Sequence, residues 1–436
     1  MNIKLTVYLT AVLALAVVAV IFIINPRHKG EEQLQSKQVF RIHHPGPARA
    51  ITLKNGNGDF SLIRNAQGKW MIAAPVATRA DQTVVTALLT AMTTLRYQTK
   101  IGAGALSAFG LSPASITATV TFPDETTYSL QVGAEAPLGK NYYAVASDGT
   151  RGIFTVTSWL RSQLDDTLFQ LRNKAPVSLS QEEITAIGFT SGAQPVYTLQ
   201  RKGGVWYITK PSLNRVRPSV INGMVFQLAN LRATNIIDGV SDLSGMGLEK
   251  PSEVISIVLM DGKHDTITIG KNADPSHAYA MVKGKKPVYV INADFAAAMK
   301  KNVSEMVDTR LMSQDSFAVS SVTVVRSGKA VVLTKKSNNT WEKNGAPFTG
   351  SGTVNDLVGE LSSMKAVRFT APQSPFGKAA ITFTVSGSVQ PAVTTIAISP
   401  VIAGTAYART SIDPRRAVIA PGDVRKLEAD VQKIFQ

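Results

Sequence analysis

Four kinds of residue in this sequence could take part in chemistry or bind a ligand: tryptophans, histidines, paired carboxylates and glycine-rich loops. Tryptophan stacks readily on sugars and bases, but Trp70, Trp206 and Trp341 recur at matching places in three copies of one sequence unit. Each is followed, five or six residues later, by a proline. A residue kept in every copy is better explained as a core anchor than as a ligand contact, and we interpret the three tryptophans as structural.

The pattern of histidines and the absence of cysteine further restrict the kinds of site that the chain can form. None of the five histidines lies in an HxH or HExxH pattern or recurs between the copies. His43 and His44 are adjacent, but they lie in a segment containing Pro and Gly, and a zinc site needs three or four converging groups. A solvated pair is therefore favoured over a metal site. The absence of cysteine excludes disulfides, thiolate metal sites, a cysteine nucleophile and a lipid-modified cysteine.

The remaining motifs do not predict a catalytic residue or a cofactor. The glycines of residues 102–110 fail the GxGxxG spacing and follow a predicted helix instead of a parallel strand. The sequence contains no GxxxxGK[ST] phosphate loop and no GxSxG nucleophile elbow. The pairs Asp165–Asp166 and Glu182–Glu183 are interpreted as helix-end or loop charges. Only an enzymatic site assembled between the copies is left open.

The chain carries a formal charge of +16, which could attract nucleic acid. The charge is spread along the sequence: +5 over residues 40–175, +2 over 176–316, +7 over 317–436 and +2 before residue 40. Without an RNA-binding or helix-turn-helix signature, nucleic acid is an unfavoured partner. Four interpretations of the basic surface remain: it contacts anionic lipid, an anionic glycan or an acidic protein, or it has no specific partner at all.

An internal repeat is the strongest feature of the sequence. The three tryptophans lie 136 and 135 residues apart, and a proline, a Gly-Leu-Pro element, a strand glycine and a tyrosine follow the first two at similar offsets. The third copy has lost part of the Gly-Leu-Pro element and has Pro400 at the place of the strand glycine. The landmarks are Trp70, Pro75, Gly110, Leu111, Pro113, Gly133 and Tyr143 in the first copy, Trp206, Pro211, Gly247, Leu248, Pro251, Gly270 and Tyr279 in the second, and Trp341, Pro347, Gly377 and Tyr407 in the third.

Hydrophobic periodicity predicts the elements that position these landmarks. In the first copy, segments 50–53, 60–63 and 70–72 alternate apolar and polar residues, as half-buried strands do. Segment 81–95 then places apolar residues at steps of three and four, which predicts an amphipathic helix with Asp81 near its start. Four more strands and a short helix over 158–164 complete the unit. Each repeat is therefore predicted to be α+β, an antiparallel sheet packed with one long and one short helix.

An uncharged run of twenty residues, Leu5 to Ile24, precedes the repeats and is long enough to cross a bilayer. A cleaved signal peptide is the alternative, but its apolar region would be shorter and would end in small residues. The predicted fold is thus an N-terminal transmembrane helix followed by three tandem repeats. The predicted domains are residues 1–39 (anchor and linker), 40–175, 176–316 and the divergent 317–436.

The flanking charges oppose export, because only Lys4 precedes the run whereas Arg27, Lys29, Lys37 and Arg41 follow it. Long domains, however, cross membranes largely regardless of charge. We therefore expect the body of the chain on the extracytoplasmic side of a bacterial inner membrane.

The sequence of landmarks, Trp-x4-Pro, amphipathic helix, Gly-Leu-x(1–2)-Pro, strand glycine and tyrosine strand, resembles a bacterial domain-of-unknown-function family. That family accompanies auxiliary proteins of gliding-motility-type ABC transporters. The resemblance covers nearly everything after residue 40 and implies an extracytoplasmic component of a transporter complex, with no catalytic residues. We therefore expect a non-enzymatic accessory or scaffold protein whose partners are a transporter permease or auxiliary subunit. The alternative is an extracytoplasmic module that binds a polysaccharide or a peptide.

Overall fold

The computed structural model describes residues 37–40, 42, 46–137, 139–147, 151–371 and 376–436. The chain divides into two compact units between Lys174 and Ala175. The first unit contains one copy of the repeat and the second unit contains two copies.

The first repeat folds into nine described strands, three helices and a short 3-10 helix over Leu106–Phe109. The strands and helices are β1 Ala50–Asn55, β2 Gly58–Arg64, β3 Trp70–Ala74, β4 Thr78–Arg79, α1 Gln82–Thr93, β5 Lys100–Gly102, β6 Ile116–Thr121, β7 Thr127–Glu135, β8 Asn141–Ala146, β9 Ile153–Thr157, α2 Ser158–Leu164 and α3 Leu168–Leu171.

The second repeat has the same nine strands and three helices in the same order, without the 3-10 helix among its described residues. They are β10 Ile184–Ser191, β11 Gln194–Lys202, β12 Val205–Lys210, β13 Asn214–Arg215, α4 Pro218–Ala229, β14 Ala233–Ile237, β15 Glu253–Leu259, β16 His264–Asp274, β17 His277–Val282, β18 Val288–Asn292, α5 Ala293–Met299 and α6 Val303–Met306.

The third repeat begins with a 3-10 helix over Ser316–Ala318 and ends in a long helix. Its elements are β19 Val319–Arg326, β20 Lys329–Lys335, β21 Trp341–Lys343, β22 Ala346–Phe348, α7 Ser351–Ser363, β23 Arg368–Thr370, β24 Ile381–Gly387, β25 Val393–Ile398, β26 Ala406–Thr410, β27 Asp413–Ile419 and α8 Pro421–Phe435.

All three sheets share one antiparallel topology. In the first repeat the strand order is β4-β3-β2-β1-β6-β7-β8-β9-β5, and the other two repeats reproduce it element for element. The helix after the fourth strand therefore carries the chain from one edge of the sheet to the other, where the fifth strand pairs. At both edges the outermost strands are short, from two to five residues.

One face of each sheet and one face of its long helix form the core. In β1, Ile51 and Leu53 are buried, and they pair across the ladder with Leu62 and Phe60 of β2. Helix α1 presents a buried stripe with the three- and four-residue spacing of an amphipathic helix. Each fully buried aliphatic side chain contributes about 1.5–3 kcal/mol by leaving water, so these layers supply most of the stabilisation of each repeat.

The predicted helix content was wrong in two respects. The first two repeats each add a four-residue helix, α3 or α6, to the predicted long and short ones. The third repeat has two long helices, α7 and α8, which pack against each other. Helix α8 buries Val424, Leu427, Val431 and Ile434. It packs against the long helix of its repeat, as the short helices α2 and α5 do in theirs.

The predicted fold class is also corrected at the N-terminus. In the part of the chain that the structure describes, no helix combines the length and apolar character needed to cross a membrane. The predicted span, Leu5 to Ile24, lies outside the described residues. The architecture that the structure supports is three mostly-sheet repeats of nine antiparallel strands, with eight helices among the described residues.

The strand glycines mark a close approach of two backbone segments. A Cβ atom on Gly133 would lie 2.4 Å from the carbonyl oxygen of Phe109, and one on Gly270 would lie 2.3 Å from that of Met246. In the second repeat the Lys271 N–H donates to the same Met246 carbonyl at 2.9 Å. The segment carrying the Gly-Leu-Pro element thus lies directly on the strand, where a side chain would not fit.

Candidate ligand-binding cleft between the second and third repeats

The structure places the repeat landmarks in the framework of the three sheets. Trp70 and Trp341 are 1% exposed and Trp206 is 8% exposed, each as the first or second residue of its strand. The Trp341 indole N–H donates to Asn355 Oδ1 of α7 at 2.8 Å, which joins strand to helix. Tyr143 contacts Phe109 edge to face, with ring centroids 4.8 Å apart. Each of these contacts lies within a single repeat.

The second and third repeats meet inside the second unit through hydrogen bonds and one isolated antiparallel bridge. Arg415 donates from Nη1 to Asn214 Oδ1 at 2.7 Å, while its Nε and Nη2 hold Asp413 at 3.0 and 2.8 Å. The same guanidinium lies 4.1 Å from the ring centroid of Phe369. Tyr207 donates to the carbonyl oxygen of Ile412 at 3.4 Å. Arg415 therefore joins the two repeats, and each of its three side-chain nitrogens donates one hydrogen bond.

The segment that connects the two repeats pairs with the chain that follows α7. The Leu311 N–H donates to Met364 O at 3.1 Å, and the Ala366 N–H donates to Thr309 O at 2.7 Å. Arg310 and Lys365 form an antiparallel bridge between these bonds. The connecting segment is thereby fixed to the third repeat.

A buried ion pair lies at the start of this connection. Arg215 Nη2 is 2.5 Å from Asp308 Oδ2, and the two side chains are only 2% and 3% exposed. The main chain brings them together, because the Asp308 N–H donates to Arg215 O at 2.8 Å. Such a pair is costly to desolvate, and its carboxylate needs further donors.

Arg310 supplies those further donors. Its backbone N–H and its Nε each lie 3.1 Å from Asp308 Oδ1, and its Nη1 lies 3.1 Å from Asp315 Oδ1. Burial alone would lower the pKa of Arg310, but its hydrogen bonds and charge interactions with the two aspartates outweigh burial and raise that pKa above its ordinary value. Asp308 therefore sits between two guanidinium groups.

Two adjoining cavities flank this ion pair, and we call them the outer cleft and the inner cavity. The outer cleft has a volume of about 460 Å³ and is lined by Arg217, Pro218, Ser219, Asp308, Thr309, Arg310, Asp315 and Lys365. The inner cavity has a volume of about 190 Å³ and is lined by Gly204, Val205, Trp206, Arg215, Val216, Pro218, Ile221, Asn222, Asp308, Ser313, Val389 and Gln390. Pro218 and Asp308 border both.

The lining charges favour an anion. Three cationic side chains, Arg217, Arg310 and Lys365, line the outer cleft, against the two carboxylates Asp308 and Asp315. Arg215 adds a further cation on the inner side. Both carboxylates already accept hydrogen bonds from arginine, so the uncommitted charge is positive.

Apart from Trp206, which was interpreted as structural, none of the residues that line the two cavities was singled out by sequence motifs. Arg215 and Asp308 are 93 residues apart in the chain, and no local sequence pattern predicts a contact between residues so far apart. One signal was available: aligning the repeats places Arg217 of the second copy at the position of Asp81 in the first.

The paired carboxylates of the sequence, Asp165–Asp166 and Glu182–Glu183, are not among the residues that line the two cavities. Asp165 ends α2 and is bonded to Arg161 at 3.1 Å. Glu183 accepts from the Ser180 N–H at 3.1 Å. Among the described residues, no group of three or more His, Asp or Glu side chains converges as a metal site would require.

Asp166 makes the stability of the first unit depend on pH. Burial raises its pKa to about 6 from an ordinary 3.8; Lys174 acts in the opposite direction and Asp165 in the same one. Because the folded state binds this proton more tightly than the unfolded state, the stabilisation is present below pH 4 and is lost as the pH rises through 6.

We expect Asp166→Asn to remove that loss and to raise the free energy of unfolding at pH 7 by about 1–2 kcal/mol, after allowance for solvent screening. Chemical denaturation followed between pH 4 and pH 7 measures the effect. Asp59→Asn, at an exposed carboxylate paired with Lys54, is the control and should leave the wild-type pH profile unchanged. An equal loss of stability toward pH 7 in Asp166→Asn and the wild type would contradict the assignment.

The fold and the cleft define a class: a tandem-repeat protein of antiparallel sheet domains, with a cationic cleft between two of them. The model of one protein family, described as Domain of unknown function (DUF4340), matches residues 70–251 and again residues 206–380. The matches together span residues 70–380, well over half of the chain, and the chain belongs to this family. Both matches begin at a repeat tryptophan, which confirms the tandem repeat and the predicted resemblance to a domain-of-unknown-function family.

No curated protein matches the chain significantly. Three solved structures that match are DNA polymerase III subunit beta from Pseudomonas aeruginosa (9% identity, TM-score 0.17, covering 89% of this chain and 95% of that one), the DNA polymerase sliding clamp from Caulobacter crescentus (9%, 0.16, 89% and 94%) and the sliding clamp from Pseudomonas aeruginosa with ligand (8%, 0.15, 89% and 95%). Similarities this weak carry no conclusion about the function of this chain.

Proposed function

We propose that the chain is a non-catalytic scaffold that binds other components of an ABC-transporter-like complex on the extracytoplasmic side of a bacterial inner membrane. The observation that carries this proposal is the composite surface of the second unit. Two repeats are joined there by the isolated bridge at residues 309–311 and by the Arg415–Asn214 bond, so that the outer cleft is lined by both. A joint of this kind presents residues of two domains to one partner in a fixed arrangement.

The repeated architecture supports the same proposal. Tandem copies of one domain offer related but unequal surfaces, and a scaffold uses such surfaces to hold several partners. The family match supports a shared domain without a specified activity, and the transporter association comes from the resemblance of the repeat landmarks.

Co-purification of the full chain from its native membranes, with chemical cross-linking before extraction, tests this proposal. We expect a transporter permease or auxiliary subunit to be cross-linked to residues of the second unit. Recovery of the full chain alone, under conditions that keep a known membrane complex of the same cells intact, would contradict the scaffold proposal. Reporter fusions at the C-terminus test the side of the membrane: activity only from a cytoplasmic reporter would reverse it.

A second candidate function, binding of a peptide or polysaccharide, is favoured by the outer cleft itself. Its volume of about 460 Å³ lies in the range of small-ligand pockets, and its uncommitted cations suit an acidic chain. Glycan and peptide arrays probed with the full chain discriminate this function. Uniformly negative arrays would remove it and leave the scaffold proposal standing.

A further inference from the structure

The long helices of the first two repeats begin after equivalent residues that carry opposite charges. Asp81 precedes α1, and its carboxylate accepts from the Thr83 and Val84 N–H groups at 3.0 and 3.4 Å. The corresponding residue before α4 is Arg217. The equivalence is set by the main chain, because the Asp81 N–H donates to Leu171 O at 2.8 Å and the Arg217 N–H donates to Met306 O at 2.7 Å.

Helix α4 therefore begins without the carboxylate that serves α1. Among the described residues, no side chain caps its first turn. Pro218 has no N–H, and the Val220 N–H donates to Arg217 O at 3.0 Å, so the Ser219 N–H is the one first-turn donor without an acceptor among the described residues. That N–H and the helix dipole make this end attractive to an anion. An arginine at this position adds positive charge where the first repeat carries negative charge.

A second, independent observation points to a ligand in the inner cavity, which adjoins the start of α4 through Pro218. Arg215 is 2% exposed, and its Nη1 has no hydrogen-bond partner in the described part of the chain. The other terminal nitrogen, Nη2, is bonded to Asp308. Arg215 lines the inner cavity together with Pro218, Ile221 and Asn222 of the first turns of α4. A buried charged donor without an acceptor is costly, and an anion in this cavity would satisfy it.

The shape and lining of the inner cavity favour a carboxylate over a phosphate. Its volume is about 190 Å³, and Val205, Trp206, Val216, Ile221 and Val389 give it apolar walls. A carboxylate carried on a short carbon chain places its single charge on Arg215 and its carbons on these walls. A phosphate carries up to two charges and keeps more polar oxygen atoms that the apolar walls cannot satisfy.

We propose that the inner cavity binds a carboxylate group, with Arg215 Nη1 as its donor. The neighbouring positive charge comes from the N-terminal end of α4, where Arg217 and the Ser219 N–H line the adjoining outer cleft. The carboxylate comes either from an acidic side chain of a peptide or from a small organic acid. This site goes beyond the scaffold function and does not require a transporter partner.

Isothermal titration of the purified full chain tests the site with four probes. They are a blocked alanine peptide with one central glutamate, the same peptide with glutamine, succinate and inorganic phosphate. We expect the glutamate peptide or succinate to bind and the glutamine peptide not to bind. Binding of the peptide alone identifies a peptide side chain as the source, and binding of succinate identifies a small acid.

Two variants locate the binding. Arg217→Asp supplies α4 with its own carboxylate, as Asp81 does for α1, and should weaken carboxylate binding at least tenfold without lowering the unfolding midpoint. Arg215→Lys keeps the charge beside Asp308 but removes the free Nη1 donor, and should also weaken binding at least tenfold. Lys283→Asp makes the same charge change at an exposed turn and should change the affinity less than twofold.

Three results would overturn the proposal. The first is failure of both carboxylate probes to bind the wild-type chain. The second is binding by Arg217→Asp and Arg215→Lys that equals that of the wild type. The third is phosphate binding that is tighter than carboxylate binding and is lost in the same variants, which would assign the site to phosphate instead. None of these results depends on whether a membrane partner co-purifies.

Discussion

Replacing Asp308 by alanine is expected to lower the free energy of unfolding of the second unit by about 3–5 kcal/mol. The substitution leaves Arg215 buried with neither of its terminal nitrogens paired to a carboxylate, and an uncompensated buried charge costs this much. It also removes one of the two carboxylates that accept from Arg310, the one to which its Nε and backbone N–H donate. Chemical denaturation of the full chain, followed by a probe in the second unit, measures the loss.

A double substitution separates the unpaired charge from the loss of packing. Arg215→Met with Asp308→Leu removes both charges and fills the space with apolar atoms, and we expect it to recover most of the lost stability. Asp261→Ala is the matched control, because Asp261 pairs with Lys263 at 2.6 Å on the exposed surface of the same unit. That control should leave the unfolding midpoint unchanged. Equal effects of Asp308→Ala and Asp261→Ala would show that the buried pair does not stabilise the repeat junction.

The second large effect is expected at the strand glycines. In Gly270→Ala the new Cβ would lie 2.3 Å from the carbonyl oxygen of Met246, a backbone atom that side-chain rotation cannot move. This clash is removed only if the segment carrying Gly247 moves away from the strand. We therefore expect the free energy of unfolding to fall by about 3 kcal/mol. Gly133→Ala should cause a loss of the same size in the first unit, because its Cβ would lie 2.4 Å from Phe109 O.

Gly223→Ala, in the same repeat as Gly270, is expected to change the free energy of unfolding in the opposite direction. Gly223 lies inside α4, and nothing within 4 Å would meet its Cβ. Alanine there should stabilise the helix by about 0.5–1 kcal/mol. Thermal or chemical unfolding of the two variants, side by side, measures the contrast. A stability loss in Gly223→Ala as large as that in Gly270→Ala would contradict the close-approach explanation.

Much of the fold was predictable because it follows from periodic patterns. The alternating strands around Ile51 and Leu62 and the helical stripe after Asp81 each have a local signature. The edge strands β4 and β13, only two residues long, are too short to show a period. Helix α8 was not predicted, although its apolar residues recur at helical steps after Pro421. The third repeat was predicted to have one long and one short helix like the other two.

The cleft was much less predictable than the fold. Its ion pair joins residues 93 positions apart, and its outer lining combines Arg217 of one repeat with Lys365 of the next. Such contacts depend on how two repeats pack, and no periodicity encodes that packing. The comparison of Asp81 with Arg217 was the one local signal, because a change of charge at equivalent positions of a repeat marks a place where the copies have different roles.

The short edge strands bear on how a chain of three like sheets avoids misassembly. Copies of one sheet on a single chain are present at high local concentration, and an exposed strand edge in one copy is a template for a strand of another. In these sheets the edge positions are occupied by β4, β13 and β22 on one side and by β5, β14 and β23 on the other, none longer than five residues. Few unpaired backbone groups are therefore offered for strand exchange. Duplication of this fold is thus compatible with orderly folding, because each copy leaves little edge on which a neighbour or a second molecule could aggregate.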